Sequence, residues 1–371
     1  MSTYIFILGK DPTLSLAELE ARFPEPLLAL QGQGFAVIEQ RGISVGPKEF
    51  DSFGGQIKVG ELFATVKKKE LVSAIADHLS GNHESGKLNY GVSIYGWPER
   101  NLRDLLLDLK KEFKTREVSS RFANQGFLNL SSAQYKGLDG TEIIVAKNDN
   151  DFYLAEVTAV QDIDAYSKRD FEKPFRDMKV GMQPPKLAQI MINLAGEVRT
   201  IWDPFCGGGG LMMEGLLMGH AMLGSDINEK TLAGAQKNID WLKKEFAVKA
   251  SAELFTHDAT RPLHGKKLDA VVCEGYLGPP QDRLKNKREL SAVVSELTTL
   301  YRNFFSSLKK SGFNGPIVIG LPFFQTKEGN LYLDEAVEIA EGMGFRLELS
   351  LEYARKDQLV GRHILRFRLQ D

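Results

Sequence analysis

Four short apolar segments in the C-terminal half of the chain each end in an acidic residue, and helix-forming stretches separate them. The first is Thr200-Ile-Trp-Asp203, followed at once by Pro-Phe-Cys-Gly-Gly-Gly-Gly210 and a helical stretch from about Leu211. The second, Ala221-Met-Leu-Gly-Ser-Asp226-Ile227, places its acid about 20 residues after the glycines, the spacing expected of a ribose-binding carboxylate. Leu254-Phe-Thr-His-Asp258-Ala259 and Leu268-Asp-Ala-Val-Val-Cys-Glu274 repeat the pattern. Alternating strands and helices predict an open, mostly parallel α/β sheet, and such sheets bind ligands at the carboxyl ends of their strands.

The residues at that edge narrow the ligand. Glycines let the backbone approach it closely because no Cβ intervenes. An acid at the strand end accepts hydrogen bonds from an amino group. The combination suits a nucleoside bearing a cationic amino acid better than one bearing a pyrophosphate, and S-adenosylmethionine (SAM) is the expected cofactor. Asp226 is placed to hold its ribose and Asp258 its adenine.

The remaining elements fit one fold class. A helix over Glu229–Phe246 carries Leu232, Ala235, Ile239 and Leu242 at helical spacing. A long helix over Arg288–Lys310 stops at Gly312 and Gly315, and a strand follows at Pro316–Leu321. Asp334–Met343 reads as a helix, and Phe345–Tyr353 with His363–Leu369 as a hairpin. The expectation is a seven-stranded, Rossmann-like class I methyltransferase domain over residues 183–371, with one strand antiparallel.

The first 165 residues differ in rhythm and charge, with a net of −5 against +3 in the remainder. Strands are expected at Tyr4–Leu8, Phe35–Glu39, Tyr90–Tyr95, Val118–Phe122, Glu142–Lys147 and Phe152–Val160, and helices at Leu14–Phe23 and Leu102–Phe113. This mixture predicts two α+β modules, residues 1–65 and 66–165, without a nucleophile elbow or a His/Cys cluster. Prolines and alternating charges across Asp164–Lys186 mark a linker, expected over 166–182. Helix Leu187–Leu194 follows it, with Pro185 at a favourable first position.

Composition excludes several classes. Hydrophobic residues at 43% and charged residues at 26% describe an ordinary globular protein, and no apolar run is long enough to span a membrane. The N-terminal residues carry no signal-peptide pattern, so a cytoplasmic protein is expected. Two cysteines, Cys206 and Cys273, are too few for a zinc site, and no metal is expected. A net charge of −2 does not mark a nucleic-acid binder, but Lys168-Arg169 and the run Arg283-Leu-Lys285-Asn-Lys287-Arg288 are locally basic. Such runs are ordinarily solvated. The second follows the fourth strand directly, where it would sit at the mouth of the site.

Asp203-Pro-Phe-Cys-Gly-Gly-Gly resembles the SAM loop of amino-group methyltransferases acting on nucleic acids. Gly181-Met-Gln-Pro-Pro-Lys-Leu-Ala-Gln-Ile-Met-Ile-Asn-Leu-Ala195 is similar to their substrate-entry helix. With Phe127-Leu-Asn-Leu-Ser-Ser-Ala-Gln-Tyr-Lys-Gly-Leu138 and Ala165-Tyr-Ser-Lys-Arg-Asp170, nearly the whole chain resembles the THUMP-containing tRNA guanosine-10 N2-methyltransferase family of archaea and eukaryotes, with its bacterial relatives. The resemblance implies a ferredoxin-like N-terminal domain, a THUMP domain for the tRNA acceptor end, and the catalytic domain. It implies that Asp203, Phe205, Cys206, Gly207 and Gly209 surround the methionine of SAM, with Gln183 and Pro184 flanking its carboxylate. Asp226 and Ile227 would meet the ribose, and Asp258 and Ala259 the adenine. Lys168, Arg169, Lys186, Arg283, Lys285 and Lys287 are the expected RNA contacts. tRNA is the expected partner. A small activator protein is also possible, as the eukaryotic relatives require one, and monomer and homodimer both remain open.

After the fourth strand the family carries Asp/Asn-Pro-Pro-Tyr-Gly, whose acidic or amide oxygen accepts from the exocyclic amine while the aromatic ring stacks on the extruded base. This chain has Glu274-Gly-Tyr-Leu-Gly-Pro-Pro280. Glu274 is the expected amine acceptor, and Tyr276 either stacks on the base or packs in the core. Gly275 stands where a proline would rigidify the loop. The leading expectation is an enzyme forming N2-methylguanosine in tRNA. The alternatives are an N6-adenine or N4-cytosine methyltransferase on DNA or ribosomal RNA, and a non-catalytic RNA-binding relative.

Overall fold

The structure is a computed structural model that describes residues 2–23, 28–40, 45–83, 85–176, 183–356 and 358–370. The chain divides into two compact units, Met1–Ala165 and Tyr166–Asp371.

The first unit runs β1 (Ser2–Leu8), α1 (Pro12–Arg22), β2 (Leu28–Gly32), β3 (Phe35–Gln40), α2 (Pro47–Phe50), β4 (Gln56–Lys67), α3 (Leu71–Gly81), β5 (Leu88–Tyr95), α4 (Asn101–Thr115), β6 (Ser120–Phe122), α5 (Ser132–Lys136), β7 (Thr141–Asn148) and β8 (Asp151–Val160). Its strands form one sheet in the order β2-β3-β1-β4-β8-β7-β5-β6. Alternation assigns the two faces: Ile143 and Val145 of β7 join the core under α3 and α4, while Ile144 and Ala146 join Ile5, Ile7 and Val37 in another cluster. The boundary expected between residues 65 and 66 falls inside β4. That strand pairs β1 through Gln56–Glu61 and β8 through Lys58–Lys67, so the parts on either side of residue 65 share one sheet.

β6 pairs β5 only as far as Tyr90, and two asparagine side chains continue its work. Asn124 accepts from Val92 N–H and donates to Val92 C=O, and Asn129 does the same for Ile94. Beneath them Lys58 Nζ donates to Leu130 C=O and pairs with Glu142, which also accepts from the Ser93 hydroxyl. A buried ion pair is tolerated when hydrogen bonds satisfy it from several sides.

The second unit contains α6 (Ile163–Phe171, which begins before the boundary), α7 (Pro185–Leu194), β9 (Thr200–Asp203), α8 (Gly210–Leu217), β10 (Ala221–Asp226), α9 (Glu229–Glu245), β11 (Ala252–Thr256), β12 (Ala270–Glu274), α10 (Lys287–Lys310), β13 (Ile317–Thr326), β14 (Gly329–Leu331), α11 (Asp334–Gly342), β15 (Phe345–Tyr353) and β16 (Val360–Leu369). The sheet order is β11-β10-β9-β12-β13-β16-β15, with β14 added as a short antiparallel partner of β13. β9 to β13 are parallel, and β16 runs antiparallel to both neighbours. The α/β methyltransferase fold is therefore present, with one short strand beyond the seven expected. Strand order reverses at β9, which lies between β10 and β12, and a topological switch of this kind opens a cleft at the strand ends.

Residues 166–176 do not behave as a linker. Arg169 on α6 is only 6% exposed and its Nε donates to the buried carboxylate of Glu214 at 2.8 Å. Phe175 exchanges backbone hydrogen bonds with the Asn238 side chain and fills the space a Cβ on Gly234 would need. Residues 177–182 of the expected linker, including Gly181 and Met182 of the entry segment, lie outside the described residues. Among the described residues, no helix is long and apolar enough to cross a membrane.

Candidate active site

Three of the four acids, Asp203, Asp226 and Glu274, stand at strand ends close enough to influence one another. Asp203 closes β9, and its Oδ1 accepts from the N–H of Phe205. The side chain is buried, which pushes its carboxyl well above the usual range, and the nearby charges of Asp226 and Glu274 push the same way. The loop then turns back onto β10: Cys206 N–H donates to Ser225 C=O, and Gly207 N–H donates to Asp226 Oδ2 at 3.1 Å. Gly207 (φ +50°) and Gly209 (φ +78°) occupy the left-handed region that favours glycine, and Gly209 is the N-cap of α8. Gly208 packs on the Phe175 ring while its carbonyl accepts from Asn238. Phe205 packs on Tyr301 and Phe304. Cys206 is buried, and burial pushes its thiol up, so it is a packing residue and not a nucleophile.

Asp226 closes β10, with its other oxygen accepting from Asn228 N–H. Ile227, next in sequence, is 72% exposed, unusual for an aliphatic side chain at a strand end and suited to covering a flat ring. Asp258 lies beyond β11, where the Thr260 hydroxyl and N–H hold its carboxyl below the usual range. Ala259 is buried and its carbonyl accepts from Ser307. Gln183 is buried, with Nε2 against Met191 Sδ, and Pro184 is the N-cap of α7.

Glu274 closes β12. Its Oε1 accepts from Arg362 Nε at 2.8 Å, with the side chains 14% and 2% exposed respectively. Burial raises the Glu274 pKa, and Arg362 opposes the rise. Tyr276 is half exposed, so its ring is available rather than packed in the core. Gly275 now has a physical reason: a Cβ there would lie 2.3 Å from the Tyr301 hydroxyl, which instead donates to the Tyr276 carbonyl. Tyr301, Arg362, Phe175 and Asn238 were not singled out in the sequence. Tyr301, Arg362 and Asn238 are ordinary residues on their own elements and Phe175 lay in the expected linker, so only the fold brings them to these loops.

The basic residues divide. Arg169 is withdrawn as an RNA contact, because it is buried and committed to Glu214. Lys168 is ion-paired with Glu245, and Lys186 lies half-buried over the Tyr166 ring with its pKa lowered by burial. Arg283 and Lys287 are exposed beside the N-terminus of α10, with Arg283 paired to Glu289, and Lys285 is held by a bridge to Thr326. Among the described residues no group of His, Cys, Asp and Glu has the makings of a metal site.

A family model described as an RMKL-like methyltransferase domain matches residues 176–319. A probable tRNA (guanine(10)-N2)-dimethyltransferase from Methanothermococcus thermolithotrophicus is 41% identical over 153 residues, which are 40% of this chain and 85% of that protein. The chain belongs to the tRNA (guanine(10)-N2)-dimethyltransferase family. Another relative of that description, from Methanothermobacter thermautotrophicus, is 30% identical over 186 residues, 49% of this chain and 50% of the relative. The chain thus spans about half the length of several relatives it matches. In fold, this family member is similar to TrmN from Thermus thermophilus (TM-score 0.51, 14% identity, 99% of this chain and 100% of that one). It is also similar to a possible methylase from Clostridium difficile 630 (TM-score 0.53, 13% identity, 100% and 98%).

Proposed function

We propose that this chain transfers a methyl group from SAM to the exocyclic N2 of guanosine in tRNA, at position 10. The observation that carries the reading is the adjacency, at the switch-point cleft, of the buried acid Asp203 and the Glu274–Tyr276 loop with its exposed ring. The residues fit SAM. A buried carboxylate that is costly to ionise alone is relieved by a cationic ligand, and the two positive-φ glycines allow close backbone approach. Asp203 with the 205–209 loop and Gln183–Pro184 would hold the amino-acid end. Asp226 and Ile227 would hold the ribose and ring face, and Asp258 and Ala259 the adenine edge.

SAM, when bound, supplies an electrophilic methyl group on a sulfonium. Tyr276 stacks on an extruded base, a contact that any base face permits. Glu274 accepts a hydrogen from the exocyclic amine and, with the Gly275 carbonyl, turns the nitrogen lone pair toward the methyl. An aromatic amine is a weak nucleophile, so orientation supplies most of the rate. Formation of the new N–C bond would break the methyl–sulfur bond, leaving neutral S-adenosylhomocysteine and a positively charged amine that loses its proton to solvent. The first unit, with its ferredoxin-like and THUMP-like parts, is the proposed tRNA grip, and Arg283, Lys285 and Lys287 the proposed phosphate contacts beside the cleft.

Nucleoside mass spectrometry on an unmodified tRNA transcript, incubated with SAM and the purified chain alone, tests this. N2-methylguanosine, mapped by digestion to position 10, is expected. A methylated adenosine or cytidine would replace the substrate assignment, and no methylated nucleoside at all would refute the activity.

A further inference from the structure

Arg362 reaches Glu274 from two strands away. It sits on β16 opposite Pro322 of β13, and its guanidinium crosses β13 to the end of β12. The path runs over Gly320, where a side chain larger than a methyl group would stand between Arg362 Cγ and the Glu274 backbone, each 3.9 Å from a Cβ at that position. Among the described residues, Nε is the guanidinium nitrogen held by a protein acceptor, and that acceptor is Glu274. The other groups facing Glu274 would not keep it ionised: Asp203 from β9 repels it, and Cys273 and Tyr301 are neutral and buried.

We propose that Arg362 and Glu274 form a base-selecting pair, in which Arg362 fixes Glu274 as a carboxylate that can only accept hydrogen bonds and so admits guanine and rejects adenine and cytosine. The inference rests on the methyltransferase reading above and gives it a chemical basis for the choice of base. An ionised carboxylate has acceptor sites on both oxygens and no donor. The guanine edge presents N1–H and the N2 amine side by side, two parallel donors for one carboxylate. Adenine and cytosine place a ring-nitrogen acceptor beside the amine, so a carboxylate that meets the amine also faces a lone pair. Left without Arg362, Glu274 would protonate in this buried site and gain a donor, and the discrimination would weaken. Arg362 is accordingly a positioning residue, acting on the base only through Glu274.

The test uses tRNA carrying either guanosine or 2,6-diaminopurine riboside at the mapped target. The analogue keeps the 2-amine but turns N1 into an acceptor. Two quantities are compared on the full chain: kcat/KM for methyl transfer, and equilibrium RNA affinity in the presence of S-adenosylhomocysteine. The wild type is expected to favour guanosine on the order of 100-fold in kcat/KM and measurably in affinity, because a mismatched buried acceptor is left unpaired. In Glu274→Gln the amide both donates and accepts, and the preference should collapse to within about 10-fold. In Arg362→Met the acid limb of the guanosine reaction should move to higher pH, and Arg362→Lys should restore part of the shift. Equal losses on both RNAs in Glu274→Gln, or an unmoved pH limb in Arg362→Met, would overturn the pair's role. A wild type that transfers no methyl to either RNA would instead refute the proposed activity, while the two affinities would still decide base selection.

Discussion

The hydroxyl of Tyr301 donates to the backbone carbonyl of Tyr276 at 2.7 Å, directly over the bare Cα of Gly275. A proline in this loop restrains it by a covalent ring. Here a buried phenol on α10 restrains it from outside, and the glycine is what admits the phenol. Gly275→Ala should therefore cost about 1–3 kcal/mol by overpacking. Adding Tyr301→Phe should recover part of that loss, since it removes the atom nearest the new methyl. Urea unfolding of the two single variants and the double variant checks this, and strictly additive losses would refute the contact.

Tyr301→Phe alone removes one buried hydrogen bond, worth about 1 kcal/mol. It should lower the rate of methyl transfer more than the affinity for SAM, because it loosens the Glu274–Tyr276 loop and leaves the Asp203 loop intact. Isothermal titration beside steady-state kinetics separates the two effects.

Asp203 is held where its charge is costly. Its folded-state pKa is raised, so the folded protein binds a proton more readily than the unfolded chain, and the group costs stability as pH rises above its unfolded value near 3.9. Asp203→Asn should raise the melting temperature of the ligand-free protein at pH 8 and do so less at pH 5. The same variant should weaken SAM binding by roughly 10-fold or more, equivalent to about 1.4 kcal/mol. A variant that binds SAM as tightly as the wild type would remove Asp203 from the cofactor site.

Arg169→Met leaves Glu214 buried without its cation. Breaking a buried pair by removing one partner typically costs about 3–5 kcal/mol, and a loss of that order is expected in urea unfolding. Adding Glu214→Gln should restore much of it. The salt dependence of tRNA binding should be the same in the double variant as in the wild type.

By contrast, alanine at Arg283, Lys285 and Lys287 should weaken tRNA binding and lower the slope of log K against log salt by about 1 for each residue in phosphate contact. An unchanged slope would return these residues to the role of solvated surface.

The methyltransferase sheet was legible because β9, β10 and β12 are short, mostly buried and each end in an acid, so length and end residue located them without help from periodicity. β4 was not legible for the opposite reason. Its register shifts at Val59/Gly60 and again between Leu62 and Ala64, so the apolar residues lose their alternation partway along the strand. With β4 and α3 both unread, nothing joined the segments before residue 65 to those after it, and the first unit divided in two. At the site, the residues contributed by strand ends were readable from the sequence. Arg362 was not, since its partner lies 88 positions earlier and the residue fell in the polar loop ahead of the strand expected at His363–Leu369, whereas β16 begins at Val360. Arg169 misled in the same way: position in a charged run says nothing about the carboxylate that meets it across the fold.

The uninterrupted course of β4 bears on how such a chain can be recombined. Every cut between Gln56 and Lys67 severs a strand that carries ladder bonds on both sides, to β1 and to β8. Fragments made there would each inherit a raw sheet edge, prone to pair with other molecules. A chimera that borrows only the first 65 residues from a relative would have to match a foreign strand at two bulges. Exchange at residues 161/162, after β8 and ahead of α6, severs neither a strand nor a helix, so residues 1–161 should travel between proteins as a single heritable part.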